Sequence, residues 1–181
     1  MKTKTLTLFL VFLSQTIPAQ IKSINNQEIQ ILYGTGIQKN INTKQVLVSY
    51  AKYFERENIR NIMLGYIIDF EYLDEIKKNN VILFGFGGGL KQVYDLESMK
   101  LVLDSYIIMN YIDRKKIGNR NLGENFIFSD NLKVGLEFGN SILPGLSIFY
   151  QFRHISNAGI YHENMGYNSQ YIFVSLNLKY L

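Results

Sequence analysis

The sequence predicts an all-β fold, an antiparallel transmembrane β-barrel of about eight strands. Three observations predict it. Apolar and polar residues alternate with period two over much of the chain, as they do in strands whose successive side chains point to opposite faces. The alternating segments run to roughly ten residues or more, the length a tilted strand needs to cross a bilayer. The polar face of these segments carries full charges of both signs: Asp69, Glu71, Asp104, Lys133, Glu137 and Arg153. A closed barrel holds such groups inside as a paired network while its outer surface stays apolar. A soluble lipocalin-like barrel is the minority reading, and it requires the apolar face to point inward instead.

Taken in order, residues 1–19 read as a secretory signal peptide. Lys2 and Lys4 form a basic start, Leu6 to Leu13 an apolar stretch too short to span a bilayer as a helix, and Ala19 a small residue at the cleavage point. Residues 20–181 then form one barrel domain. Strands are predicted over 28–38, 45–54, 60–73, 79–90, 98–112, 126–139, 143–156 and 168–180, an even number as bacterial barrels have. In the third, Ile62, Leu64, Tyr66, Ile68, Phe70 and Tyr72 share a face opposite Gly65, Asp69 and Glu71. In the sixth, Leu132, Val134, Leu136 and Phe138 oppose Lys133, Gly135 and Glu137. In the seventh, Leu146, Ile148, Tyr150 and Phe152 oppose Ser147, Gln151 and Arg153; in the eighth, Ile172, Val174, Leu176 and Leu178 oppose Ser169, Ser175, Asn177 and Lys179. Tyr72, Tyr106 and Tyr180, near strand ends, suit aromatic girdles. The longer connections, 113–125 and 157–167, are expected on the outer side, and the shorter ones on the periplasmic side.

The chain has 181 residues, no cysteine and two histidines, His154 and His162. Disulfides and thiolate metal sites are therefore excluded, and little material remains for a multi-histidine centre. About eight strands leave an interior just wide enough for side chains, which argues against a porin. The formal net charge is +4. The expected outer loops are basic, with Lys39, Lys44, Lys77 and Lys78 and the cluster Arg114, Lys115, Lys116 and Arg120. Such a cluster attracts a phosphorylated lipid headgroup electrostatically. Nothing in the sequence suggests a nucleic-acid partner.

Chemistry concentrates in Phe152-Arg153-His154-Ile155-Ser156-Asn157-Ala158-Gly159 and the following Asn164-Met165-Gly166-Tyr167-Asn168. His154 and Ser156, two apart in a strand, share one face with Cα atoms roughly 7 Å apart. An imidazole so placed reaches a neighbouring hydroxyl, and serine is a weak nucleophile until a base takes its proton. Both residues continue the apolar row Leu146, Ile148, Tyr150 and Phe152. Polar groups facing hydrocarbon are costly without partners, and an acyl chain in the outer leaflet supplies a reason for them. Asn168 lies on the apolar row of the last strand, so the three residues are expected in one patch. The bland alternative is a set of interfacial polar residues that bond one another where the barrel leaves the membrane.

The run His154-Ile155-Ser156-Asn157-Ala158 followed by Asn164-Met165-Gly166 resembles the lipid A 3-O-deacylase family of outer-membrane acyloxyacyl hydrolases. The resemblance implies a serine esterase of the outer membrane that hydrolyses the ester-linked acyl chain at the 3-position of lipid A. Its partners are then lipopolysaccharide and the surrounding outer-membrane lipids, with no metal or organic cofactor. It further implies Ser156 as nucleophile, His154 as general base, and an oxyanion stabilised by Asn164 and backbone N–H groups near Asn157 and Ala158. One position departs: where well-known members have a glutamate that orients the histidine, this chain has Asn168, which can orient the ring but brings no negative charge. Glu163 in the same loop is the alternative acid, and a catalytically weak or silent barrel with a structural or lipid-binding role is the alternative function.

Overall fold

The computed structural model describes residues 21–38, 41–56, 59–75, 80–138 and 145–180. The expected signal peptide and the loop lysines Lys39, Lys77 and Lys78 lie outside these residues. Ten strands form among the described residues: β1 (Ile21–Gly36), β2 (Thr43–Arg56), β3 (Ile59–Glu75), β4 (Val81–Leu96), β5 (Met99–Ile112), β6 (Lys116–Ile117), β7 (Arg120–Asn121), β8 (Phe126–Phe138), β9 (Leu146–Ser156) and β10 (Tyr167–Asn177). Eight of them close an antiparallel barrel in the order β1-β10-β9-β8-β5-β4-β3-β2. Closure pairs the first strand with the last, Ile31 opposite Val174 and Gly34 opposite Tyr171, so the barrel sheet has no open edge.

All eight expected barrel strands form, with some ends displaced. β4 continues to Leu96 instead of stopping at 90. Gly87, Gly88 and Gly89 interrupt the alternation there, but pairing with β3 and β5 on both sides carries the strand through. Only Glu97 and Ser98 then separate β4 from β5, with Glu97 at φ 61°. The last strand ends at Asn177, and Leu178–Tyr180 form a 3₁₀ turn. The hairpin β6–β7 inside the 113–125 connection has no clear alternation and was not expected.

The apolar rows point outward. Phe70, Phe84, Leu132, Ile148 and Ile172 are exposed in the isolated barrel, as a lipid-facing surface requires. The interior is filled with side chains. Arg153, fully buried, meets Asp69 at 3.2 Å and Glu71 at 3.4 Å. Lys133 meets Asp104 at 3.8 Å and donates to Gln30 at 2.6 Å, and Lys91 pairs with Glu28. Phe149 and Phe173 stack with centroids 4.7 Å apart. Charges removed from water are tolerable only when paired and hydrogen-bonded; each of these is ion-paired, while Asp69 Oδ1, Asp104 Oδ1 and Arg153 Nε have no hydrogen-bond partner. Tyr106 is a correction to the expected girdle. It shares parity with Asp104, so it points inward, where its hydroxyl donates to Gln151 at 3.1 Å and the Lys133 ammonium lies 4.2 Å from its ring centre. Tyr72 does face outward.

One end of the barrel carries the 113–125 and 157–166 connections, and its interior is apolar. Ile41, Leu73, Leu83, Ile117, Leu122, Ile155 and Tyr167 form a buried cluster there. Ile117 and Leu122 come from the β6–β7 hairpin and its exit, so the hairpin folds its apolar residues into the barrel mouth.

Candidate active site

The site stands on the last two residues of β9's outward row at this apolar end. Ile155, between them, points inward and is fully buried in the apolar cluster. That anchor holds His154 and Ser156 on the outer surface, both half-buried. β10 brings Asn168 into register with His154, and His154 Nδ1 lies 2.5 Å from Asn168 Oδ1. With the amide oxygen as acceptor, Nδ1 carries the proton and Nε2 is left with its lone pair. His154 and Asn168 are thus hydrogen-bonded, and Ser156 stands two residues along the same outward row of β9. Gly166 closes over the ring. It adopts φ 62°, and a Cβ placed on it would lie 3.0 Å from His154 Cε1. The Asn-x-Gly pattern therefore has a local cause: the backbone is left-handed and the imidazole leaves no room for a side chain.

The chain turns immediately after Ser156. Ala158 and Gly159 adopt φ 55° and 74°, and Ile160 N–H donates to Asn157 O at 3.0 Å. Asn157 is buried and organises the turn. Its Oδ1 accepts from Gly159 N–H at 2.9 Å, while its Nδ2 donates to Leu122 O at 2.9 Å and Glu163 O at 2.7 Å. The Asn157 backbone N–H donates to Asn164 Oδ1 at 3.1 Å. That N–H is therefore already engaged, and what it does is fix the Asn164 amide. The Ala158 N–H points to Ser156 Oγ at 3.3 Å. The Ala158 N–H is thus the backbone donor at the serine, and the Asn157 N–H has a supporting part, holding the Asn164 amide.

Among the basic cluster, Arg114 and Lys116 are exposed. Lys115 pairs with Glu124 at 3.0 Å, and Arg120 donates to Met165 O at 3.1 Å. Arg120 thus ties the two connections together, as does Met165 N–H donating to Asn121 O at 3.0 Å. Glu163 accepts from the Asn121 side chain, so its carboxylate is committed to this seam. His162 is exposed on the same connection.

One residue was missed by the sequence reading. Asp130 lies on the outward row of β8 and is exposed, directly in register with His154 on the side away from Asn168. Its signal was present: a single carboxylate in the otherwise apolar row Phe126, Phe128, Leu132 and Val134.

The lipid A 3-O-deacylase (PagL) family profile matches residues 62–177, which include every residue of the site. Among solved structures, the outer membrane enzyme PagL superposes with a TM-score of 0.67 at 20% identity, over 82% of this chain and 98% of that one. Neisserial surface protein A (NspA) superposes with a TM-score of 0.51 at 11% identity, over 84% of this chain and 95% of that one. At such identities the two structures establish the shared barrel fold. No curated protein sequence matches the chain.

Proposed function

Since the chain belongs to the lipid A 3-O-deacylase family and has the fold of outer-membrane barrels, we propose that it is a serine esterase that removes the 3-O-linked acyl chain from lipid A of lipopolysaccharide. The observation that carries this reading is the bond between His154 Nδ1 and Asn168 Oδ1 on the lipid-facing surface. It leaves Nε2 free to act on the hydroxyl two residues along the same face.

In this mechanism Ser156 Oγ attacks the ester carbonyl as its proton passes to His154 Nε2. The Ala158 N–H and Asn164 Nδ2 receive the charge that develops on the carbonyl oxygen, an effect commonly worth about 3–4 kcal/mol per donor. The C–O bond to the sugar breaks, and the proton on His154 goes to the departing 3-hydroxyl. Water then attacks the acyl-serine with His154 again as base, and the fatty acid leaves. No step requires a metal or cofactor. The site sits at the mouth carrying the longer connections, which we take as the extracellular end. A lipid A molecule in the outer leaflet then presents its acyl esters at the depth of Ser156, and the exposed Arg114 and Lys116 lie at headgroup level to meet its phosphates.

The second reading, a weak or silent barrel that binds lipid, is favoured by one feature: Asn168 carries no charge. The deciding experiment is mass spectrometry of lipid A from outer membranes that carry the wild-type chain or Ser156→Ala. Loss of one 3-hydroxyacyl chain with wild type alone supports the esterase. Unchanged lipid A with both folded barrels refutes it.

A further inference from the structure

We propose that Asp130 supplies the negative charge that stabilises protonated His154, a positioning role on the flank opposite Asn168; the proposal rests on the serine-esterase reading. Three observations carry it. Asp130 and His154 are direct cross-strand partners in the β8–β9 register and share the outward face. Side chains in such pairs have Cβ atoms roughly 5 Å apart, close enough for a carboxylate to act on an imidazolium. Next, Asp130 stands in a lipid-facing row whose other members are Phe126, Phe128, Leu132, Val134 and Leu136. A charge there is costly and calls for a partner, and no ion pair or hydrogen bond to another side chain holds Asp130 among the described residues. Finally, the residue bonded to the imidazole is an amide, so the bond that orients the ring leaves its cation without a counter-charge.

The other charged groups around His154 are committed elsewhere. Arg153 on β9 points inward to Asp69 and Glu71. On the connections, Glu163 accepts from Asn121 and Glu124 pairs with Lys115, while His162 is exposed. β10 contributes the neutral Asn168. Orientation and charge, which a single glutamate would combine, are divided here between two strands. When Ser156 Oγ gives its proton to Nε2, the cation that forms is flanked in register by Asn168 on β10 and Asp130 on β8.

The test compares wild type, Asp130→Asn, Asp130→Glu and the double variant Asp130→Asn/Asn168→Glu in detergent-folded barrels. Two readouts are taken: deacylation of purified lipid A across pH, and the NMR titration of the His154 imidazole, with His162 as internal reference. Asp130→Asn is expected to lower kcat about 10–100-fold with KM within about twofold. It should also move the His154 titration midpoint to lower pH while leaving that of His162 in place. Asp130→Glu should keep most activity, and the double variant should recover it. A His154 titration identical in wild type and Asp130→Asn overturns the assignment, whether or not the barrel is active. If the midpoint moves in a barrel whose wild type leaves lipid A intact, the charge coupling stands and the esterase reading falls.

Discussion

Gly166 lies against the edge of the His154 imidazole, so close that a Cβ on it would come within 3.0 Å of Cε1, and its φ of 62° is one that other residues adopt at a cost. Gly166→Ala is therefore expected to displace the ring from Asn168 and lower kcat about tenfold or more. The backbone strain costs about 1 kcal/mol, so the barrel stays folded. Kinetics beside a denaturant midpoint separate the two effects; unchanged kcat means the ring tolerates the methyl group.

Asn168 orients without charging. Asn168→Leu removes the acceptor for Nδ1–H and is expected to cost about 10²–10⁴-fold in kcat, the range seen when a triad member holds the wrong tautomer. Asn168→Glu adds a charge at the same register position and should raise kcat. Steady-state rates on purified lipid A decide the matter, and a more active Asn168→Leu contradicts the assigned geometry.

Asn157 joins the two outer connections through Leu122 O and Glu163 O. Asn157→Ala leaves both carbonyls without this donor and should cost about 1–3 kcal/mol locally. Limited proteolysis is then expected to cut within 157–166 faster than in wild type, with barrel strands intact. Equal cleavage rates mean that Arg120 and Asn121 hold the seam unaided.

Arg153 is the interior counterpart of the site, buried one residue before His154 between Asp69 and Glu71. Arg153→Met strands two carboxylates in the barrel interior, a change worth about 3–5 kcal/mol. A lower guanidinium midpoint and loss of the compact electrophoretic form are expected. The triple replacement with Asp69→Asn and Glu71→Gln should recover much of the loss, because the penalty comes from uncompensated charge.

Ile172 faces outward at the middle of β10, opposite Tyr150 and Tyr33. Ile172→Arg is expected to destabilise the lipid-embedded barrel by about 2–4 kcal/mol, measured by unfolding in bilayers. The same change in a protein whose apolar rows faced a core would instead abolish folding in detergent.

Much of this was legible in the linear order of residues. Period-two alternation assigns each side chain of Leu146 to Ser156 to one face or the other without any knowledge of neighbours, which put His154 and Ser156 on the lipid side. The same parity rule places Tyr106 inward with Asp104, and it stands in the middle of β5, not at its end. The glycines 87–89 hid the true length of β4 because they lack the side chains that make alternation visible, while backbone pairing on both sides needs none.

The linear order of residues thus specifies the class of fold, the two faces of its strands and the outward row that carries His154 and Ser156. Which residues meet across strands emerges only from the folded barrel. Asp130, His154 and Asn168 align in one row because β8, β9 and β10 take one particular register, and Lys91 finds Glu28 across the barrel, 63 residues away. The physical reason is that facing depends on chain geometry within one strand, whereas register is set by closure of the whole barrel. A slip of two residues would keep every face and change every partner.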